Sequence, residues 1–203
     1  MASLGHVIIG FAGARWLYQR ALIAPAPEPL RPWMVGLAGL SLLPDADVLG
    51  FSFGVRYAAP WGHRGASHSL LFSLALGAFV FALVDLWARS RSEPPPWRGR
   101  SLPVVLVFAA IALSHGLLDC LTDGGHGIAL LWPFSNERFF APWQPIPVAP
   151  IGRRFLSARG LECFLTELAW FSPLLAYAWW PRRGAEGGAS APRGSEETGG
   201  ELD

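Results

Sequence analysis

At 203 residues the chain is one domain's worth of polypeptide, 52% hydrophobic and only 15% charged, against ~25% charged residues in soluble globular domains. Ten Trp and thirteen Phe add the aromatic excess expected where a protein meets a membrane interface. A net charge of +1 offers no concentrated basic surface, so direct nucleic-acid binding is not expected.

Five apolar segments read in order as helical membrane spans, giving an all-α, multi-pass fold with about five crossings. Residues 4–23 form the weakest, broken by Arg15 and Arg20. Residues 33–53 carry Asp45 and Asp47, with Pro44 marking a turn or break before them. Residues 69–88 are the cleanest, and 101–121 end in His115-Gly116-Leu117-Leu118-Asp119. Residues 161–180 open with Glu162 and Glu167 and close on Trp179-Trp180. Between them, 25–32 is a Pro-rich turn and 89–100 a stiff, solvated Arg- and Pro-rich loop. The long 122–160 connection is too aromatic for disorder and is expected to lie on the protein or at the membrane surface. The helical unit thus covers 1–183, followed by a Gly-, Ser- and Glu-rich disordered tail at 184–203. With no basic leader or Ala-x-Ala site, the first segment is expected to stay attached. Arg20, Arg31, the 89–100 loop and Arg182-Arg183 make one face the more basic, hence cytoplasmic. Cys120 and Cys163 form either one bond or, as the favoured reading, two inert buried thiols.

Ionisable groups inside an apolar span are costly, so they pair, bind something or face a cavity. His115 and Asp119, four residues apart, share a helix face and can grip one ion. With alternating crossings His6, Asp45, Asp47, His63, His68 and Glu162 fall at the same membrane face as that pair, opposite the 89–100 loop. Histidine and carboxylate together suit zinc, manganese or iron. Asp45 and Asp47 diverge by about 160° on a helix, so one is a ligand and the other orients a histidine. Each residue alone has a plainer reading: an interfacial His6, capping Asp45 and Asp47, a polar loop at His63–His68 with Ser67 or Ser69 capping the next span, a first-turn Glu162. Their joint placement favours a metal site. A transporter is disfavoured, because a conduction path needs polar groups through the full depth.

Three runs carry a resemblance. Leu42-Leu43-Pro44-Asp45-Ala46-Asp47, His63-Arg64-Gly65-Ala66-Ser67-His68-Ser69 and His115-x3-Asp119 with Thr122, after the early His6, resemble the membrane-bound metal-dependent hydrolase family typified by YdjM. Ser67 stands where the pattern has Thr, and the run at Trp132-Pro133-Phe134-Ser135 with Arg138 also matches. The resemblance covers about residues 6–140 and implies a multi-pass inner-membrane protein with a hydrolase assignment, some members being described as binding the regulator LexA. The ligand order is more distantly similar to zinc-dependent phospholipase C and P1-type nucleases. No second His-x3-Asp/Glu pair follows His126, so one or two ions carry over in place of three.

The expectation is therefore a zinc-dependent phosphohydrolase acting on a lipid or lipid-linked phosphoester. His6, Asp45, His68, His115 and Asp119 would hold the metal, with His63 and Asp47 as ligands or orienting partners. Arg64 and Arg138 would clamp the phosphate oxygens while activated water attacks phosphorus. The alternative is a non-catalytic, metal-stabilised membrane scaffold that binds a regulatory protein.

Overall fold

A computed structural model describes residues 3–23, 29–91, 93–150 and 152–180. The 184–203 tail, the Arg182-Arg183 pair and residues 25–28 of the 25–32 turn lie outside the described residues. Among those residues the chain is all-helical: α1 (Ser3–Gln19), α2 (Arg31–Leu42), α3 (Leu70–Arg89), α4 (Ser101–Cys120) and α5 (Ala158–Trp179). Isolated bridges, Thr122 with Ile146 and Ile128 with Phe139, help tie the long connection together.

Among the described residues three helical stretches, not five, are long and apolar enough to cross a membrane: Arg31–Phe53, Leu70–Arg89 and Ser101–Cys120. The other two segments fail for separate reasons. At 17 residues α1 is about 26 Å long, short of a ~30 Å hydrocarbon core, and it carries Arg15. In α5, Arg159, Glu162 and Glu167 occupy the first half and Pro173 the second.

Pro32 in the first turn suits the start of α2, since its missing N–H has no partner to lose there. At Pro44 the helix does not break but tightens into a 3₁₀ helix, Leu43–Phe53, which ends on Gly54 at φ 78°. Ser69 caps α3 by accepting the Phe72 N–H at 3.2 Å. The outward faces of α3 and α4 expose Leu74, Phe79, Leu83 and Leu86, and Leu102 and Leu106, as a lipid-facing surface requires. Their inward faces meet closely at Gly77, where a Cβ would lie 2.5 Å from the Ala109 backbone; small residues let membrane helices approach in this way.

The core gathers Leu17, Leu40, Trp97, Val104 and Phe108. That tryptophan corrects the picture of 89–100 as a merely solvated loop. Its ring packs edge-on against Trp33 and Phe81, and its Nε1 donates to Asp85 at 2.7 Å. The apolar indole gains more from burial than from water, and it carries the loop back onto the bundle.

The helix ends that matter meet at the opposite end. The start of α1, the 3₁₀ turn after α2, the entry to α3 and the last turn of α4 converge there. Glu167 of α5 secures the arrangement by accepting the Leu4 and Gly5 N–H groups at 2.7 and 2.8 Å, which satisfies the open N-terminus of α1.

Candidate metal centre

Three residues per 3₁₀ turn place Asp45 and Asp47 about 120° apart, and they serve different neighbours. Asp45 Oδ1 lies 3.4 Å from His115 Nε2 and 3.5 Å from His68 Nε2. Asp47 turns away and receives three groups: His63 Nδ1 at 2.7 Å, Ser67 Oγ at 2.5 Å and the Arg64 N–H at 3.3 Å. The pair thus divides into one carboxylate facing the cluster and one holding its histidines in place.

His115 is fixed by a backbone carbonyl. Its Nδ1 lies 2.7 Å from the Ser41 oxygen, which can only accept, so Nδ1 carries the proton and Nε2 offers its lone pair. That Nε2 is 3.1 Å from His68 Nε2. The other nitrogen of His68 sits 2.9 Å from Ser67 Oγ and 3.3 Å from Asp47 Oδ2. Asp119 reaches His68 Nε2 at 3.6 Å and His6 Nε2 at 3.5 Å. His6 stacks on His115 with centroids 3.9 Å apart and stands beside the quartet of Asp45, His68, His115 and Asp119.

One ligand atom from each of those four residues falls within 4.8 Å of all the others. Four of these separations, 3.1 to 3.6 Å, bracket the ~3.4 Å expected between ligands held ~2.1 Å from a tetrahedral zinc. Both Asp45 carboxylate oxygens are buried without a well-aligned hydrogen bond, a costly arrangement unless something positive joins them. The donor set therefore fits a divalent cation. A second group, Asp47, His63 and His68, also lies within that spacing, yet Asp47 is already engaged by three donors.

Burial alone would push the His68 ring down, but hydrogen bonds with Asp119, Asp45 and Asp47 outweigh it and raise its pKa to about 10. For the Tyr57 hydroxyl burial acts the other way and raises the pKa; its ring stands edge-on to His63 with centroids 5.2 Å apart.

The two arginines expected on phosphate are placed otherwise. Arg64 is fully buried at φ 64°, a backbone region that non-glycine residues seldom occupy. Its Nε pairs with Asp119 at 3.2 Å, Nη2 donates to Thr122 Oγ1 at 2.9 Å and Nη1 to the Gly124 carbonyl at 2.6 Å. Arg138 donates to the carbonyls of Ala59, His63, Arg64 and Gly127. Both guanidinium groups pin loops around the cluster, so their forks face protein oxygens. Elsewhere, His126 is exposed against Tyr57, Glu162 pairs with Arg159 at the surface, and Cys120 and Cys163 are free, buried thiols.

Beyond Asp47, the groups that orient the ligands are not marked in the sequence. Ser41 acts through its carbonyl, which no side-chain pattern reports. Ser67 reads from sequence as a candidate helix cap and as the residue in the Thr position of the His63–Ser69 run, neither of which reports its contacts with Asp47 and His68. Gly116, between the paired His115 and Asp119, is required by a close approach: a Cβ there would lie 2.4 Å from the His68 carbonyl oxygen.

Known proteins match this chain over much of its length. The family described as YdjM inner membrane protein matches residues 1–185. The inner membrane protein YbcI of Escherichia coli (strain K12) is 44% identical over 150 residues, covering 71% of this chain and 81% of the relative. No solved structure matches. The chain is a protein of the inner membrane and belongs to the YdjM inner membrane protein family.

Proposed function

We propose that this protein is a zinc-dependent phosphohydrolase of the inner membrane, acting on a lipid or lipid-linked phosphoester. The observation that carries the reading is the buried quartet of Asp45, His68, His115 and Asp119 with ligand atoms at metal-binding separations. These four would hold one ion, which when bound polarises a phosphoryl oxygen and eases deprotonation of water. His6 packs against His115 and keeps its ring plane fixed. His63, with Nδ1 on Asp47, presents its other nitrogen as the proton acceptor for an attacking water. A purely structural centre needs no such pair. Asp45 and Asp47 are the least buried of these carboxylates and mark the side from which substrate would enter. Exposed Phe53 at the end of the 3₁₀ helix, and Trp61 and Phe134 on the neighbouring loops, suit contact with acyl chains.

A second reading, a metal-stabilised scaffold for a regulatory protein, draws on the near-complete burial of His6, His68, His115 and Asp119, since structural zinc sites are closed. One experiment separates them. The detergent-purified protein is assayed for bound metal and for cleavage of a panel of phosphomono- and phosphodiesters, beside His115→Ala and His63→Ala. The hydrolase reading expects about one zinc per chain, lost in His115→Ala and kept in His63→Ala, with turnover lost in both. Zinc retained by His115→Ala sinks the metal assignment. Zinc lost there, with equal rates from the parent and both variants, leaves the scaffold.

A further inference from the structure

At the end of the bundle remote from the metal centre, α2 and α3 part to leave an apolar cavity of about 840 Å³. It is walled by Trp33, Leu37, Val80 and Val84 and floored by Phe108 of α4. The volume falls within the ~300–1,000 Å³ of small-molecule sites. Two of its rim residues, Leu83 and Trp87, are exposed on α3, so the opening faces the hydrocarbon of the bilayer. The three helices that line it are the three able to cross a membrane.

The cavity is not apolar throughout. Arg91, Glu93, Pro94, Pro95 and Trp97 belong to its wall and also to that of an adjoining polar chamber of about 400 Å³. Arg89, Arg98 and Asp85 line that chamber too. Asp85 is fully engaged, one oxygen accepting from Arg89 Nε and the other from Trp97 Nε1, both at 2.7 Å. Arg89 is therefore neutralised within the protein. Arg91 lies over the Trp87 ring at 4.1 Å, and neither it nor Arg98 has a carboxylate within ion-pair distance among the described residues. Two cations without ion pairs thus meet one remaining acid, Glu93, where an apolar slot opens into a polar chamber. The vicinity of a bilayer supplies one abundant class of molecule with a matching division, a long acyl chain next to a singly negative phosphodiester.

We propose that the slot and chamber together bind a single anionic phospholipid. One acyl chain lies against Trp33, Leu37 and Val84, and the phosphate sits against Arg91 and Arg98. The site is independent of the metal centre and of the activity proposed for it.

Native mass spectrometry of the full chain, released from micelles holding equal phosphatidylglycerol and phosphatidylcholine, counts the lipid retained. The expected result is one phosphatidylglycerol per chain, favoured at least about tenfold over phosphatidylcholine. An Arg91→Gln/Arg98→Gln double variant alters only exposed side chains and reduces that preference to under about threefold. Gly36→Leu offers a second handle: a Cβ at Gly36 meets nothing within 4 Å, so the larger side chain enters the slot and lowers retention of both lipids. Equal retention of the two lipids by the parent overturns the proposal. So does an unchanged preference in the double variant, or a lipid-free dimer in which a second copy fills the slot.

Discussion

His68 and His115 bring their Nε2 atoms to 3.1 Å, and only one of them can supply the proton between them. His115 has committed its own proton to the Ser41 carbonyl, so its Nε2 accepts and His68 donates. Two imidazoles from different helices are thus joined by one proton, at the point where four ligand atoms converge. An ion entering the quartet must displace it.

Metal uptake should accordingly be strongly pH-dependent. With the His68 pKa raised to about 10, zinc binding near neutrality releases at least one proton, and apparent affinity rises about tenfold per pH unit for each proton displaced. Calorimetry in buffers of different ionisation enthalpy measures that release, and a zinc affinity flat between pH 6 and 8 would contradict it. The same shift has a sign for stability. A ring whose folded pKa lies above its unfolded value of 6.5 stabilises the metal-free fold fully below pH 6.5. That contribution disappears as pH rises through about 10. Melting of chelator-treated protein should therefore move to lower temperature across that window.

Ser67 should matter through its hydroxyl alone. It touches both Asp47 and His68, at 2.5 and 2.9 Å, so Ser67→Ala loosens the carboxylate that orients two histidines. Loss of such an outer partner lowers metal affinity by roughly 10- to 100-fold. Ser67→Thr retains the hydroxyl and should bind zinc within a few-fold of the parent. Competition against a chromophoric chelator reads both.

Arg64 should prove to be a stability residue. Removing one partner of a buried ion pair costs about 3–5 kcal/mol, and Arg64→Ala also strips the Thr122 and Gly124 oxygens of their donor. Arg64→Lys keeps the charge but cannot reach Asp119, Thr122 and Gly124 together, and should be intermediate. Thermal unfolding in detergent orders the three proteins. A parent-like melt for Arg64→Ala would return this side chain to the role of a substrate clamp.

Two glycine substitutions should part company. Gly116→Ala drives a methyl into the His68 carbonyl, an overpacking of about 1–3 kcal/mol that also displaces a ligand. Gly36→Ala meets only open space on α2 and should be neutral or slightly stabilising, because alanine favours the helix. Zinc content and melting temperature distinguish them directly.

Much of the site was legible because cost leaves a mark in sequence: His115 and Asp119 stand out where an apolar helix should be uniform. Spacing also indicated that Asp45 and Asp47 would take separate roles. Which one faces the cluster depended on a helix tightening at Pro44, and a break there was equally compatible with the residues. For Arg64 and Arg138 the residues alone leave the direction of the fork open. An arginine beside histidines and aspartates has the same composition whether its fork meets a phosphate or backbone carbonyls, and only the loop path separates the two. Apolar runs over-read α1 and α5 as spans, since a run of hydrophobic residues counts the same whether or not it is long enough and free enough of charge to cross: α1 stops at 17 residues with Arg15 inside, and α5 carries Arg159, Glu162 and Glu167. Trp97 shows the converse, with one indole drawing a Pro- and Arg-rich loop into the core.

The Glu167 carboxylate has a consequence in time. It caps the first helix from the last one, so the amides beside His6 gain their acceptor only when residues near the far end of the helical unit have been made and docked. Until then the earlier helices can bring Asp45, His68, His115 and Asp119 together, but the ring that stacks on His115 rests on an uncapped helix end. Assembly of the centre is thereby tied to completion of the bundle, and a truncated chain would carry its ligands without the fixed geometry to use them.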